Sequence, residues 1–247
     1  MIRQNRIIRR ERPKRPSEKM SEILEQIRIK NMYSLDHTAA KPLLEKYEYP
    51  WEALGDISDY IIELGNTLSP DEYNHPSEDV WIHKTAKVFD SAYIGGPCII
   101  GASTEVRQCA FIRGSALVGE NCVVGNSTEL KNVIIFDNVQ VPHYNYVGDS
   151  ILGFKSHMGA GSITSNVKSD KTLVHVKSQD KIIDIDTKRK KFGAMLGDYV
   201  EVGCNSVLNP GTVIGKNSNI YPLSPVRGIV PEGSIYKTGG VIVNKEQ

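Results

Sequence analysis

An aliphatic side chain recurs every six positions along most of the chain, beginning near residue 80. The recurring positions are Ile82, Val88, Ile94, Ile100, Val106, Ile112, Val118, Val124 and Leu130, and after interruptions Leu152, Met158, Leu196, Val202, Leu208, Ile214, Ile220 and Val226. A period of six matches neither a helix, at about 3.6 residues per turn, nor an alternating strand. It is typical of hexapeptide repeats that wind into a left-handed parallel β-helix, with one hexad on each side of a triangular coil.

A small residue follows most of these aliphatic positions four places later. The first such residues are Ala86, Ala92, Cys98, Thr104, Ala110, Ala116, Cys122 and Thr128. We expect each aliphatic side chain to point inward and to contribute about 1.5 to 3 kcal/mol, as an upper bound, when it is buried. Only a small side chain fits the inward corner beside it. The sequence therefore predicts a mainly β fold in which Cys98 and Cys122 belong to the core.

Outside the repeats the chain divides into segments of different character. Residues 1–20 form a predicted basic, disordered tail, and residues 21–78 a helical region with a linker, because apolar residues recur there at helical spacing. The β-helix is predicted for 79–236, with a projecting insertion at 167–191, and a C-terminal tail for 237–247. We expect the helical region to pack against the coil or against a partner chain.

Composition and charge limit the classes of function that this protein can have. Residues 1–20 carry eight Lys or Arg but only two Glu, so a nucleic-acid contact and an organelle-targeting leader are alternatives to a solvated tail. Without interleaved aromatic residues, neither alternative is favoured. No apolar run is long enough to span a membrane, and the four cysteines form no CxxC pair. We expect a soluble, cytoplasmic protein with reduced thiols and no metal site.

The six-residue phase is interrupted at two places, and insertions in a solenoid tend to gather on functional edges. Between Leu130 and Leu152 the spacing predicts four extra residues, in a stretch that contains His143. Between Thr164 and Leu196 a longer excursion predicts a projecting hairpin, with strands at 172–176 and 181–185. It ends in the basic cluster 188–191, which is either a solvated hairpin base or a site that attracts the phosphates of coenzyme A.

Two segments resemble a known family. The run 143–149 reads HYNYVGD and the run 158–166 reads MGAGSITSN. These segments resemble the acetyltransferase domain of bifunctional glucosamine-1-phosphate acetyltransferase/N-acetylglucosamine-1-phosphate uridyltransferase. The resemblance extends over roughly residues 50 to 230. It implies a homotrimeric enzyme of the hexapeptide-repeat acyltransferase superfamily that uses acetyl-CoA as co-substrate.

The resemblance also implies roles for individual positions. His143 matches the catalytic base, and Glu129 an acidic residue beside the amine that could also orient His143. The implied sugar-phosphate contacts are Arg113, Lys131, Tyr146, His157, Asn166 and Lys191, with Lys191 contributed across a subunit boundary. The implied contacts to coenzyme A are Ala160, Cys204 and Pro222. His157 replaces an asparagine of the family and changes the hydrogen-bond donors and acceptors at the sugar site, and Cys204 and Pro222 replace a serine and an alanine along the coenzyme groove.

The chemistry of these residue types agrees with those roles. Acyl transfer from a thioester to an amine requires the ammonium to lose its proton first, and a histidine, with an ordinary pKa of about 6.5, suits that task at neutral pH. A sugar phosphate carries close to two negative charges, and Arg113 and Lys131 offer a planar fork and a point charge for it.

The leading hypothesis is therefore a coenzyme-A-dependent N-acetyltransferase that acts on an amino-sugar phosphate such as glucosamine-1-phosphate, in a pathway to nucleotide sugars and cell-envelope precursors. One alternative is a non-catalytic scaffold or regulatory subunit of a separate nucleotidyltransferase. Another is an acetyltransferase for a nucleotide-linked amino sugar. Residues 1–70 are too few for a nucleotide-binding sheet, so we expect no uridyltransferase domain in this sequence.

Overall fold

The computed structural model describes residues 15–245. Helices α1 to α4 span Pro16–Gln26, Ile29–Met32, Lys41–Leu44 and Ile57–Gly65, and short 3₁₀ helices span Leu35–His37, Pro50–Gly55 and Thr238–Gly240. Strands β1 to β25 span, in chain order, Tyr73–Ser77, Val80–His83, Lys87–Val88, Tyr93–Ile94, Cys98–Ile100, Glu105–Val106, Phe111–Ile112, Ala116–Val118, Val123–Asn126, Glu129–Ile135, Gln140–His143, Tyr146–Leu152, His157–Met158, Ile163–Thr164, His175–Lys177, Asp184–Asp186, Ala194–Leu196, Glu201–Val202, Val207–Leu208, Thr212–Ile214, Asn219–Ile220, Pro225–Val226, Ile229–Val230, Ser234–Tyr236 and Ile242–Asn244.

The short strands stack into three parallel ladders, which are the faces of a triangular coil. The first face runs through β2, β5, β8, β10, β12, β17, β20 and β23. The second face runs through β3, β6, β9, β11, β13, β18, β21 and β24. The third face runs through β4, β7, β10, β12, β14, β19 and β22, because β10 and β12 continue around a corner. The predicted left-handed parallel β-helix is confirmed.

The predicted inward positions form the core. From Ile100 to Val226 the recurring aliphatic side chains are at most 3% exposed, whereas Ile82, Val88 and Ile94 in the first turn are only partly buried, since fewer turns cover them. The small corner residues have a second function. Thr104 Oγ1 donates to the Gly119 carbonyl at 2.8 Å and Thr128 Oγ1 to the Val141 carbonyl at 2.9 Å, so these buried hydroxyls join successive turns.

The turn that contains His143 is shortened, and the predicted four-residue interruption is wrong. Between Leu130 and Leu152 the steps are five, six, six and five residues, through buried inward side chains. These side chains are Ile135, Val141 and Val147. The turn from Val124 to Val141 and the turn from Val141 to Met158, which contains His143, therefore have 17 residues each, whereas the turn before them has 18. The coil is continuous at this point, and His143 lies on a regular corner.

The helical region packs on the coil. Ile57 and Ile61 of α4 are fully buried, and the Trp51 ring stacks on Phe192 with centroids 5.8 Å apart. The buried Asp198 carboxylate accepts a hydrogen bond from the Ser34 backbone N–H at 2.8 Å. The helical region is thus part of the same core as the coil.

The ends of the coil differ from the predicted boundaries. Helix α1 begins at Pro16, inside the predicted tail, because a proline is favoured in the first helical turn and Glu18 caps the Arg15 N–H at 2.9 Å. The rest of the predicted tail lies outside the described residues. Strands β1 and β25 form in the predicted linker and C-terminal tail, each antiparallel to a coil strand at one end. They cover strand edges that the hexapeptide period does not predict.

The insertion is a hairpin, as predicted, but its strands are shorter and shifted. Strands β15 and β16 pair antiparallel, with His175 opposite Asp186. Between residues 15 and 245, no helix is both long enough and apolar enough to cross a bilayer.

Asp137 gives a pH-dependent prediction. Burial raises the pKa of this carboxyl above its ordinary value of 3.8. The folded state then binds the proton more tightly than the unfolded state. The stability that this carboxyl contributes at low pH is therefore lost as the pH rises above 3.8 and through the raised pKa. Asp137→Asn keeps the oxygen that accepts the Glu120 N–H at 2.8 Å. In denaturant titrations we expect the variant to gain stability relative to the parent as the pH rises from about 3 to 7; a pH-independent difference would contradict this.

Candidate active site

His143 lies at the corner between the second and third faces, at the end of β11. Its side chain is exposed, while its backbone is held on both sides. The His143 N–H donates to Asn145 Oδ1 at 3.1 Å, and its carbonyl accepts the Gly161 N–H at 3.0 Å. A fixed backbone that carries an exposed imidazole suits a base that meets its substrate from solvent.

Asn145 fixes this corner, although the sequence analysis gave it no role. It is buried, and its Nδ2 atom donates to the Gly159 carbonyl at 2.9 Å and to the Ser162 carbonyl at 3.1 Å. The side chain therefore joins the turn of His143 to the next turn. The sequence could have indicated this role, because Asn145 lies inside the 143–149 motif.

The three predicted coenzyme contacts follow His143 along the same corner on successive turns. The Ala160 carbonyl accepts the Asn205 N–H at 2.8 Å, and the Cys204 carbonyl accepts the Leu223 N–H at 3.0 Å. Cys204 and Pro222 are exposed. We call Ala160, Cys204 and Pro222 the corner strip. It runs parallel to the coil axis and starts beside His143.

On the third face, Glu129 and Tyr146 are register partners on adjacent turns. Glu129 Oε1 accepts a hydrogen bond from Arg113 at 2.9 Å. Among residues 15–245, no hydrogen bond joins Glu129 to His143. Of the two roles considered for Glu129, this arrangement gives no support to orientation of the imidazole.

The buried Asp149 carboxylate organises the other end of the third face. Lys131 Nζ lies 3.0 Å from Oδ1, Asn132 Nδ2 3.0 Å from Oδ1, and Asn166 Nδ2 2.5 Å from Oδ2. Asn166 also donates to the Tyr146 hydroxyl at 3.1 Å. Burial, together with the nearby carboxylates, raises the pKa of Tyr146, so its hydroxyl stays protonated at neutral pH. We call these residues the Asp149 network.

The motif 143–149 requires a glycine at position 148 because the space beside its backbone is occupied. A Cβ atom at this position would lie 2.5 Å from the Tyr146 hydroxyl oxygen and 3.1 Å from Asn166 Nδ2. Only a glycine leaves room for the tyrosine to fold over the strand and reach the Asp149 network.

Each of the two predicted phosphate-binding cations already has a carboxylate partner. Arg113 pairs with the Glu129 carboxylate and Lys131 with the Asp149 carboxylate. Arg113 is half-exposed and Lys131 about a quarter exposed, so their outer N–H groups remain open to a further anion. A phosphate would join existing ion pairs at this site.

One predicted site residue, His157, lies apart from these groups within one chain, and another, Lys191, lies at the base of the insertion. His157 is on the second face, where its Nδ1 atom lies 2.8 Å from Glu201 Oε2 and where it lines a polar cavity of about 330 Å³. Lys191 pairs through its backbone with Val167 at the base of the insertion, and its side chain is exposed. One chain therefore does not bring His157 to Tyr146.

Arg189 belongs to the predicted basic cluster 188–191 and is close to the site, but its partly buried position was not predicted. Its NH2 atom donates to the Glu52 carbonyl at 2.7 Å, beneath Gly55. Burial lowers the pKa of this guanidinium, and Asp56 and Asp149 are among the charges that act against that shift. Because the contact is between the insertion and the helical region, no local motif could have indicated it.

The stacked turns, with their inward aliphatic residues and small corner residues, define a hexapeptide-repeat β-helix protein. Residues 94–214 match the family model described as the GMPPB C-terminal domain. The chain is similar in sequence to GlmU-type bifunctional proteins.

Two relatives illustrate the match. The bifunctional protein GlmU of Methanococcus maripaludis (strain C5) is 33% identical over 202 residues, which are 81% of this chain and 48% of that protein. A bifunctional sugar-1-phosphate nucleotidylyltransferase/acetyltransferase of Sulfurisphaera tokodaii is 35% identical over 107 residues, 43% of this chain and 26% of that protein. The chain thus spans less than half the length of either relative.

A solved hexapeptide transferase family protein from Anaplasma phagocytophilum has 16% identity and a TM-score of 0.38, and the match covers 68% of this chain and 80% of that one. Similarity at this level carries no information about the site.

Proposed function

We propose that this chain is a coenzyme-A-dependent N-acetyltransferase that acts on an amino-sugar phosphate, most simply glucosamine-1-phosphate. The observation that carries the proposal is the position of His143. It is exposed at the corner where the strip formed by Ala160, Cys204 and Pro222 meets the third face with Tyr146. The name of the relative from Sulfurisphaera tokodaii, which joins a sugar-1-phosphate nucleotidylyltransferase to an acetyltransferase, supports acetyl transfer in a protein that also acts on a sugar 1-phosphate.

The proposed reaction needs one base. His143 takes a proton from the substrate ammonium, and the free amine attacks the thioester carbonyl. An N–C bond forms and the C–S bond breaks, and the attacking nitrogen releases its second proton to solvent, so that the products are the amide and the thiolate of coenzyme A. The proton held by His143 then passes to the thiolate, which returns the imidazole to its neutral form.

The Asp149 network would hold the sugar. The Tyr146 hydroxyl and Asn166 offer neutral hydrogen-bonding groups, and the open N–H groups of Arg113 and Lys131 face the phosphate. Glu129 would attract the ammonium before it loses its proton. We further propose a homotrimer, because His157, on the second face, can reach a sugar site on the third face only if a neighbouring coil contributes it.

The proposal is tested by a thiol-release screen with acetyl-CoA and amino-sugar phosphates. The panel is glucosamine-1-phosphate, glucosamine-6-phosphate, galactosamine-1-phosphate and a nucleotide-linked amino sugar. We expect saturable thiol release with a 1-phosphate. Activity only with the nucleotide-linked sugar would change the acceptor, and inactivity with every member would favour the scaffold alternative.

Cys204 provides an independent test of the corner strip. Cys109 and Cys204 are exposed, whereas burial raises the pKa of the Cys122 thiol to about 12 and that of Cys98 further. A maleimide should therefore label only the two exposed thiols. We expect saturating coenzyme A to slow the labelling of Cys204 at least about fivefold, since ligand on the strip blocks access to the thiol. Cys109 is the internal control; equal labelling rates with and without coenzyme A would place the ligand elsewhere.

A further inference from the structure

A cavity of about 570 Å³ lies between the hairpin β15–β16 and the corner that joins the third face to the first. Its walls come from the segment 168–177 and from two later turns, at Pro210 and Arg227. Arg227 follows Val226 on the third face, as Lys131 follows Leu130 several turns earlier. The insertion that leaves the coil after Ser165 separates this cavity from the Asp149 network.

Two glycines let the hairpin lie directly on the coil. Gly211 has a φ of +82°, and a Cβ atom there would be 2.6 Å from the His175 carbonyl oxygen. Gly228 has a φ of +72°, and a Cβ atom there would overlap the Lys177 carbonyl oxygen. Strand β15 therefore contacts two successive turns at backbone distance. This contact fixes the wall of the cavity that His175 and Lys177 form.

The charged side chains that line the cavity are all basic. Lys168, Lys177 and Arg227 line the cavity together with His175, and the described lining residues include no Asp or Glu. The two lysines have partners just outside: Lys168 Nζ is 3.3 Å from Asp170 Oδ2, and Lys177 Nζ is 2.8 Å from Asp184 Oδ2.

Unlike the two lysines, Arg227 has no carboxylate partner among the described residues. It is exposed and forms no ion pair with any residue between 15 and 245. A guanidinium with open N–H groups presents a planar fork that matches a phosphate. Leu173 and Pro210 add apolar surface to the same cavity. The combination fits a ligand with phosphate groups at one end and an apolar ring at the other.

We propose that this cavity binds the phosphates of a nucleotide-like ligand, with Arg227 as the principal phosphate contact and Lys177 and Lys168 beside it. Such a group has two sources, either the phosphoadenosine portion of coenzyme A or a separate nucleotide. Binding here does not require acetyl transfer, so this proposal stands or fails independently of the proposed function.

Calorimetry on the full chain with ADP as probe tests the proposal. We expect saturable binding that weakens about tenfold in Arg227→Gln, because the amide lacks the charge and the fork. Lys181→Gln is the matched control, since Lys181 lies at the exposed hairpin tip outside the cavity and its replacement should change the affinity less than twofold. Circular dichroism checks that both variants are folded. No saturable heat with ADP, or equal affinity in Arg227→Gln and the parent, would overturn the proposal.

The source of the phosphate is decided by repeating the ADP titration with the protein saturated in coenzyme A. If the coenzyme occupies the cavity, ADP binding is lost and Arg227→Gln also weakens coenzyme A. If ADP still binds, and still depends on Arg227, the ligand is a separate nucleotide. His143→Ala should bind ADP like the parent in either case, which separates this site from the acetyltransferase chemistry.

Discussion

His143→Ala should lower kcat for thiol release from acetyl-CoA by about 10²-fold to 10⁴-fold, the usual contribution of a general base. The imidazole is exposed, and the contacts that hold this corner are made by the His143 backbone, so the substitution should leave the fold intact. Steady-state kinetics with a saturating amino-sugar phosphate measures the effect.

Tyr144→Phe is the matched control for His143→Ala. Tyr144 is the adjacent residue and is 65% exposed, and the variant removes only a hydroxyl. It should retain kcat within about twofold. A His143→Ala enzyme that keeps more than a third of the parent kcat would show that another group, or solvent, removes the proton.

Gly125→Ala should cause the largest loss of stability. A Cβ atom on Gly125 would overlap the carbonyl oxygen of Pro142 on the next turn, and neither backbone can move without opening the ladder between β9 and β11. We expect the free energy of unfolding to fall by about 3 kcal/mol or more, at the upper end of overpacking effects. Denaturant titration followed by circular dichroism measures the change.

Gly233→Ala separates this clash from the general effect of replacing a glycine. Gly233 has a φ of +62°, but no atom lies within 4 Å of the position that a Cβ would occupy. Its substitution should cost about 1 kcal/mol through backbone strain alone. Equal losses in the two variants would mean that the close approach at Gly125 is not a structural constraint. Because Pro142 precedes His143, Gly125→Ala should also reduce the activity of the folded fraction.

Much of the fold was predictable because the hexapeptide period reports directly on the inward side chains. The two turns around His143 were missed because each has one step of five residues, which moves Ile135, Val141 and Val147 out of the six-residue phase although all three are buried. The strands at the two ends carry no such period, since they cover edges and do not continue the coil.

The contacts within the candidate site were predictable where the motif is local. Tyr146 and Asn166 meet at Asp149, and Asp149 and Asn145 lie inside the quoted 143–149 segment even though neither was assigned a role. Arg189 was missed because its contact with Glu52 crosses 137 residues of sequence.

His157 follows Tyr146 by eleven residues, and a turn of 17 residues places the two on different faces. A sequence motif predicts which residues belong to a site, but the number of residues per turn decides which of them one chain brings together.

A crystal structure of the protein with coenzyme A and glucosamine-1-phosphate measures the position of His143 relative to both substrates. We expect an imidazole nitrogen within about 3.2 Å of the sugar amine, with the pantetheine arm along Ala160, Cys204 and Pro222. A sugar bound on another face, or an amine more than about 6 Å from the imidazole with both substrates in place, would contradict the assignment of His143 as the base.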